Sequence, residues 1–370
     1  MPKAKETVLE IDLNALGHNY RYLTSKLKKG TKVLAVVKAG GYGSDAVEVA
    51  KELVSLGVDY FAVAYVKEGV ALRNGGIETP ILVLHPQPGN FEELIARCLE
   101  PALYSARVLK SFIEVAENDR QKSYPVHLKF NTGLNRLGFW ENDTQWILDK
   151  LRTTDAIRVK SLFSHLAASE DALENEFTRQ QIASFKAIAA DMTEKLGYAP
   201  MLHQSNTSGI INFPEAQYDM VRTGIGLYGY GNDPREDKKL KPVVTLKSVI
   251  SQIHKIEPGE TVGYNRAYRA KGYEITATIP IGHADGIPRS LGNEQGHVQI
   301  NGKQAPIIGN VCMDMLMVNV TGIDCKEGDE VIIIGPDQPA SKLSNAANTI
   351  PYELLTGLSQ RIKRVVFRKP

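Results

Sequence analysis

Val33-Leu34-Ala35-Val36-Val37-Lys38-Ala39-Gly40-Gly41-Tyr42-Gly43 carries five apolar residues directly into a lysine and a glycine-rich turn. A β-branched run of this length reads as a strand buried on both faces. The glycines after it let the backbone turn sharply and approach a ligand. Asp45 to Leu56 then repeats apolar residues at helical spacing, so strand, loop and helix make one β/α unit. On this segment alone Lys38 reads two ways. It is a buried amine whose neutral form is favoured, as Schiff-base chemistry requires, or a side chain reaching from a strand end to water.

The unit recurs along the chain. Strand-like runs lie at Val33 to Val37, Tyr60 to Ala64, Ile81 to Leu84, Pro101 to Tyr104, Val126 to Phe130, Lys160 to Ser164, Met201 to Gln204 and Asp219 to Arg222, separated mostly by helical patterns. A further helix, Leu13 to Leu27, precedes the first. This alternation predicts an α/β fold, a (β/α)8 TIM barrel, rather than an open sheet. Gly231 to Lys239 is polar and rich in turn formers, and reads as a linker. Beyond it the runs Val243 to Ile256, Tyr273 to Ile281, His297 to Ile300, Gln304 to Ile308, Met315 to Val320 and Glu330 to Ile334 alternate or are β-branched, and Asn301-Gly302 is a hairpin signal. The expected organisation is a barrel at residues 12–238 and a C-terminal mostly-β domain at 239–370, with residues 1–11 as a strand packing on the latter.

Bulk composition excludes rather than selects. Lys plus Arg number 44 against 42 Asp plus Glu, a net charge of +2, which favours neither nucleic acid nor an anionic membrane. No run is apolar for the ~18 residues of a membrane span, and Met1 to Leu16 lacks the apolar centre of a signal peptide. Cys98, Cys312 and Cys325 have neither disulfide nor zinc spacing, so the expectation is a cytoplasmic protein with no metal site.

A barrel places reactive groups just past its strand ends. Lys38, Arg136, His165, Asn206, Thr207 and Arg222 all fall there. Each alone could be a structural loop residue; together on one rim they read as a site. Asn206-Thr207-Ser208-Gly209 and Thr223-Gly224-Ile225-Gly226 follow strands seven and eight, where barrels often bind a phosphate through backbone N–H groups. A reactive lysine across from such a cup points to pyridoxal 5'-phosphate, which makes an amino acid's α-hydrogen labile by acting as an electron sink.

Val36 to Gly43, Lys129-Phe130-Asn131-Thr132-Gly133-Leu134-Asn135-Arg136-Leu137-Gly138, Val221 to Gly229, Val262-Gly263-Tyr264, Ile281 to Gly286 and Cys312-Met313-Asp314 together resemble the bacterial alanine racemase family in order and spacing, from Val8 to Val366. The resemblance implies interconversion of L- and D-alanine, supplying peptidoglycan, by a homodimer with shared active sites. It implies that Lys38 holds pyridoxal phosphate and that Tyr42, Thr207, Gly224 and Ile225, beside Asn206, contact its phosphate. Arg222 would face the ring nitrogen, and Arg136 the phenolic oxygen and the substrate carboxylate. Lys38 and Tyr264 of the partner would be the two bases, His165 would lie between Tyr264 and Arg222, and Met313 and His283 would line the substrate pocket and its entrance. Lys129 is the residue sometimes carbamylated in the family. This chain departs at Gly40, Gly41, Ser44 and Asp45, where the family usually reads Lys-Ala-Asn-Ala-Tyr-Gly-His-Gly. It departs again at Asn131 and Asn135, at His283, where the family has tyrosine, and at Gln360. Racemases of serine or broader specificity, and non-catalytic barrels that bind the same cofactor, are the competing readings. The latter lack a β domain.

Overall fold

The computed structural model describes residues 4–368, so the expected strand at 1–11 lies partly outside the described residues. The chain forms two compact units, one of residues up to Leu16, Tyr42–Asp45 and everything from Lys241, the other of Gly17–Gly41 and Ala46–Leu240.

The second unit is the barrel. After β1 (Val8–Asp12) of the other unit, its strands are β2 (Lys32–Val36), β3 (Tyr60–Val63), β4 (Ile81–Val83), β5 (Glu100–Leu103), β6 (Tyr124–Lys129), β7 (Ile157–Phe163), β8 (Met201–His203) and β9 (Met220–Thr223). They pair in parallel in the order β8-β7-β6-β5-β4-β3-β2-β9. Between β8 and β9 there is no ladder, but the Asp219 N–H donates to the Leu202 carbonyl at 3.1 Å and the Arg222 N–H to Ser205 at 3.0 Å, which nearly closes the ring. All eight strands fall where the apolar runs predict them, because most are covered on both faces: Leu34, Ala35, Phe61, Leu82 and Leu162 have no exposed surface. The helices between them bury single stripes. In Ala106–Asn118 the stripe is Val108, Leu109, Phe112 and Ala116, and Ser105 caps the first turn by accepting from the Val108 N–H. Among the described residues no helix is long and apolar enough to cross a membrane.

The expected linker at Gly231 to Lys239 is instead folded into the barrel unit. Pro234–Asp237 forms a helical turn capped by Asp233, and buried Glu236 accepts from the Tyr22 hydroxyl at 2.5 Å and pairs with Lys239 at 2.8 Å. A polar stretch was satisfied by partners from the first helix (Leu13–Thr24), which local composition does not reveal.

The other unit is built on β10 (Val244–Val249), β11 (Gln252–Ile256), β12 (Thr261–Val262), β13 (Tyr268–Arg269), β14 (Glu274–Ile279), β15 (His297–Ile300), β16 (Lys303–Ile308), β17 (Leu316–Asn319), β18 (Glu330–Ile334) and β19 (Lys363–Phe367). Nine strands form one sheet in the order β11-β14-β17-β16-β15-β18-β10-β1-β19, and β12 pairs only with β13. The single run read at Val243 to Ile256 is two strands in different parts of this sheet, and β1 joins it between β10 and β19. Asn301 and Gly302 have positive φ, as the two-residue hairpin between β15 and β16 requires.

Candidate active site

The backbone leaving β2 is left-handed over five consecutive residues: Ala39, Gly40, Gly41, Tyr42 and Gly43 have φ of 52°, 63°, 70°, 54° and 81°. This conformation costs roughly 1–2 kcal/mol per non-glycine residue. It explains why Gly40 and Gly41 stand here. Glu68 braces its start: Oε1 accepts from the Ala39 N–H at 2.6 Å, while Oε2 accepts from Ala64 at 2.7 Å and Tyr65 at 3.1 Å. In the other unit, Tyr42 is buried against the ring of Tyr352 at a centroid distance of 6.0 Å.

Lys38 enters that turn half-buried. Burial lowers its pKa, the nearby Arg136 lowers it further, and Glu68 opposes both. Lys129, at the end of β6, is buried and pushed down to about 8 by desolvation and by Arg136, Arg222 and Lys38. Arg136 is exposed and makes no hydrogen bond or ion pair among the described residues. Its loop is held by Asn131, whose Oδ1 accepts from the Gly133 and Asn135 N–H groups and whose Nδ2 donates to Asn135 Oδ1 at 2.8 Å. The two asparagines that depart from the family pattern therefore satisfy each other.

Arg222, at the end of β9, is almost fully buried, and both of its terminal nitrogens are engaged. Nη1 donates to His203 Nδ1 at 2.8 Å; Nη2 donates to the Ser164 carbonyl at 2.7 Å, the Gln204 carbonyl at 2.9 Å and His165 Nδ1 at 3.0 Å. Burial lowers its pKa to about 9, which leaves it charged at neutral pH. Burial, and then Arg222, Arg136, Lys129 and Lys38, hold the His165 pKa well below the usual imidazole range. Because Nδ1 accepts from the guanidinium, the proton of neutral His165 sits on Nε2.

The two glycine-bearing turns meet beside this group. Asn206 caps Thr207–Asn212 by accepting from the Gly209 N–H at 2.8 Å. Thr207 Oγ1 accepts from the Gly224 and Gly226 N–H groups at 3.4 and 3.3 Å and lies 3.2 Å from Thr223 Oγ1. A Cβ on Gly226 would sit 2.6 Å from Thr207 Cγ2, so only glycine permits the approach. Gly226→Ala is expected to cost about 1–3 kcal/mol by overpacking, read as an earlier urea midpoint, and to loosen cofactor retention.

Lys38, Lys129, Arg136, His165 and Arg222 thus act on one another electrostatically, and Thr207, Gly224 and Ile225 form the adjoining cup. Tyr264, Met313 and His283 lie in the other unit and are exposed, Tyr264 at 72%. The Met313 carbonyl accepts from the Ala284 N–H at 3.0 Å, and the His283 N–H donates to the Cys312 carbonyl at 2.9 Å. Sequence reading missed Glu68, His203 and Tyr352. Glu68 alone carried a local signal, a glutamate at the third position of a helix start.

Four mutually repelling cations beside a cup of helix-start amides have the chemistry to hold a ligand bearing phosphate, phenolate and carboxylate. Pyridoxal phosphate carrying an amino acid presents those groups. The chain matches the family described as alanine racemase, N-terminal domain, over residues 11–232 and the alanine racemase C-terminal domain over 243–366. It is 37% identical to an alanine racemase of Geobacter sp. strain M21 over 98% of this chain and 99% of that one. It resembles the structure of alanine racemase from Bartonella henselae with covalently bound pyridoxal phosphate, at a TM-score of 0.89 and 33% identity over 98% of this chain and 100% of that one. It likewise resembles the Bacillus anthracis alanine racemase with bound L-Ala-P, at a TM-score of 0.91 and 28% identity over 100% of this chain and 96% of that one. The chain belongs to the alanine racemase family.

Proposed function

We propose that this chain interconverts L- and D-alanine with pyridoxal phosphate, using Lys38 and Tyr264 of a second copy as the two proton-transfer groups. The observation that carries the reading is a half-buried amine with a lowered pKa, Lys38, at a strand exit, which together with Arg136 and Arg222 acts on Lys129. When bound, the cofactor withdraws electrons from the substrate's Cα and makes its hydrogen acidic. Lys38 Nζ takes or returns that hydrogen on one face, and the Tyr264 oxygen does so on the other.

The remaining residues bind and tune. Tyr42, Asn206, Thr207, Gly224 and Ile225 hold the phosphate. Arg136, whose fork has no other hydrogen-bond or ion-pair partner among the described residues, takes the phenolic oxygen and the substrate carboxylate. Arg222 faces the ring nitrogen and holds its own proton, so the ring stays a modest electron sink and the α-carbon is reprotonated rather than oxidised. His165 turns its Nε2–H to the Tyr264 oxygen and stabilises the phenolate. Met313 and His283 line the pocket and its entrance, and crowding there favours alanine over larger amino acids by about 1–3 kcal/mol per methylene.

The exposure of three large apolar side chains of one unit, Tyr264, Met313 and Met315, supports a homodimer in which a second copy covers them. We place the domain boundary near 238, with β1 assigned to the β-rich domain, and the enzyme in the cytoplasm, where it would supply D-alanine for peptidoglycan. Neither nucleic acid nor membrane enters this scheme. Enantiopure L-alanine incubated with the loaded protein should lose its optical rotation completely; undiminished rotation would exclude the reading.

Lys129 is proposed to be carbamylated. With a pKa of about 8 it has an appreciable neutral fraction at mildly alkaline pH, and only the neutral amine adds carbon dioxide. The carbamate would be an anion amid Arg136, Arg222 and Lys38. A carbamate signal after incubation with ¹³C-bicarbonate is expected to grow as pH rises through 8 and to vanish in Lys129→Ala.

A further inference from the structure

A column of hydrogen-bonded polar side chains runs through the barrel interior away from Arg222. His203 Nδ1 accepts from Arg222, and His203 Nε2 lies 2.9 Å from Ser161 Oγ. Ser161 Oγ lies 2.6 Å from His127 Nδ1, and His127 Nε2 lies 2.7 Å from Glu100 Oε2. Glu100 Oε1 accepts from Lys160 at 3.0 Å, and Tyr60 donates to Oε2 at 3.3 Å. Strands β5 to β9 each contribute one member of the column, and His127, Ser161 and His203 have no exposed surface. His203 is also stacked on Phe163, at a centroid distance of 4.8 Å and an interplanar angle of 2°.

The direction of every bond in this column is determined by its ends. A guanidinium donates only and a carboxylate accepts only. Arg222 makes His203 Nδ1 an acceptor, so the His203 proton lies on Nε2 and points to Ser161. The serine hydroxyl then donates to His127 Nδ1, and the His127 proton lies on Nε2 and points to Glu100. With a proton on His127 Nδ1 the serine would either accept from both imidazoles and lose its own acceptor in the column, or reverse and set an N–H of His203 against an N–H of Arg222. Burial, and then the Arg222 charge, keep His203 uncharged, as this arrangement needs. Burial of Glu100 opposes its ionisation, but the hydrogen bonds from His127 and Lys160 and the Lys160 charge outweigh it and hold its pKa below the usual carboxylate range.

We propose that Glu100 is a positioning residue for Arg222, acting through His127, Ser161 and His203 by fixing their tautomers and hydroxyl direction. This rests on the reading of Arg222 as the group that faces the cofactor's ring nitrogen. Lys160 makes the proposal sharp. In Glu100→Gln the amide oxygen turns to Lys160, which can only donate, so the amide NH₂ faces His127 Nε2, the His127 proton moves to Nδ1 and the Ser161 hydroxyl loses its acceptor. In the double variant Glu100→Gln/Lys160→Met the oxygen is free to face His127, and the native direction returns.

Long-range ¹H–¹⁵N NMR of histidine-labelled holoenzyme reads the tautomers, and steady-state kinetics on the same samples reads Arg222. In the wild type both His127 and His203 are expected in the Nε2–H form. Glu100→Gln should move His127 to the Nδ1–H form and lower kcat about tenfold, the low end of the range for loss of an orienting partner behind a site, with KM for alanine nearly unchanged. The double variant should recover most of both. If Glu100→Gln does not yield folded protein, Ser161→Ala carries the test, with a mixed His127 tautomer and a comparable fall in kcat. An unchanged His127 tautomer overturns the column, and a moved one with wild-type kcat overturns the positioning role. Wild-type kcat in Arg222→Gln, measured alongside, would show instead that the reading of Arg222 is wrong.

Discussion

Lys38→Ala should lose racemisation by at least about 10⁴-fold, the upper range for removing a positioned acid–base group. Two functions go together. The amine that anchors the cofactor is removed, and so is the base on one face of the substrate. The site is tuned for this amine: burial and Arg136 lower its pKa, which makes its neutral, reactive form easier to reach than in an exposed lysine. The turn is built to aim it, since Glu68 fixes the Ala39 N–H and the left-handed backbone follows from there. Lys38→Arg should fail nearly as badly, because guanidinium neither loses its proton nor forms the imine. Both variants should emerge without visible cofactor absorbance after dialysis, while their urea midpoints stay close to wild type. Retained activity would return Lys38 to the status of a surface-seeking strand-end lysine.

Tyr264→Phe is expected to lower kcat in both directions by about 10²–10⁴-fold, with one process surviving. The enantiomer whose α-hydrogen faces Lys38 should still exchange that hydrogen for deuterium in D₂O, because only the opposite face has lost its acid. Exchange without inversion therefore separates a missing second base from a misfolded site. The geometry behind the expectation is His165, which Arg222 holds neutral with its proton on Nε2, a donor suited to a phenolate. Exchange lost equally for both enantiomers would mean that Tyr264 shapes the pocket rather than moves a proton.

The barrel was legible because most of its strands are buried on both faces, and an apolar run of four or five residues between helical patterns has little else to become. Val243 to Ile256 misled for the opposite reason: its pattern continues across Ile250 and Ser251, where the chain leaves one part of the sheet for another. The pairing of β19 with β1 joins residues more than 350 positions apart, so no local pattern announces it. At the site, Lys38, Arg136, His165 and Arg222 were legible as reactive types at strand ends. Glu68, His203 and the column to Glu100 were not, because their roles are hydrogen bonds across strands. Gly40 and Gly41, which depart from the family's usual loop, are explained only by the left-handed backbone that they occupy.

Mixed dimers test the central claim most directly. Differently tagged Lys38→Ala and Tyr264→Phe chains, each nearly inactive alone, can be co-expressed and assayed as the total dimer pool. If each site draws Lys38 from one copy and Tyr264 from the other, every hybrid dimer contains one intact site. Random pairing makes half the dimers hybrid, so about a quarter of wild-type activity should return. Activity no greater than the sum of the two parent variants would contradict a two-base site shared between copies.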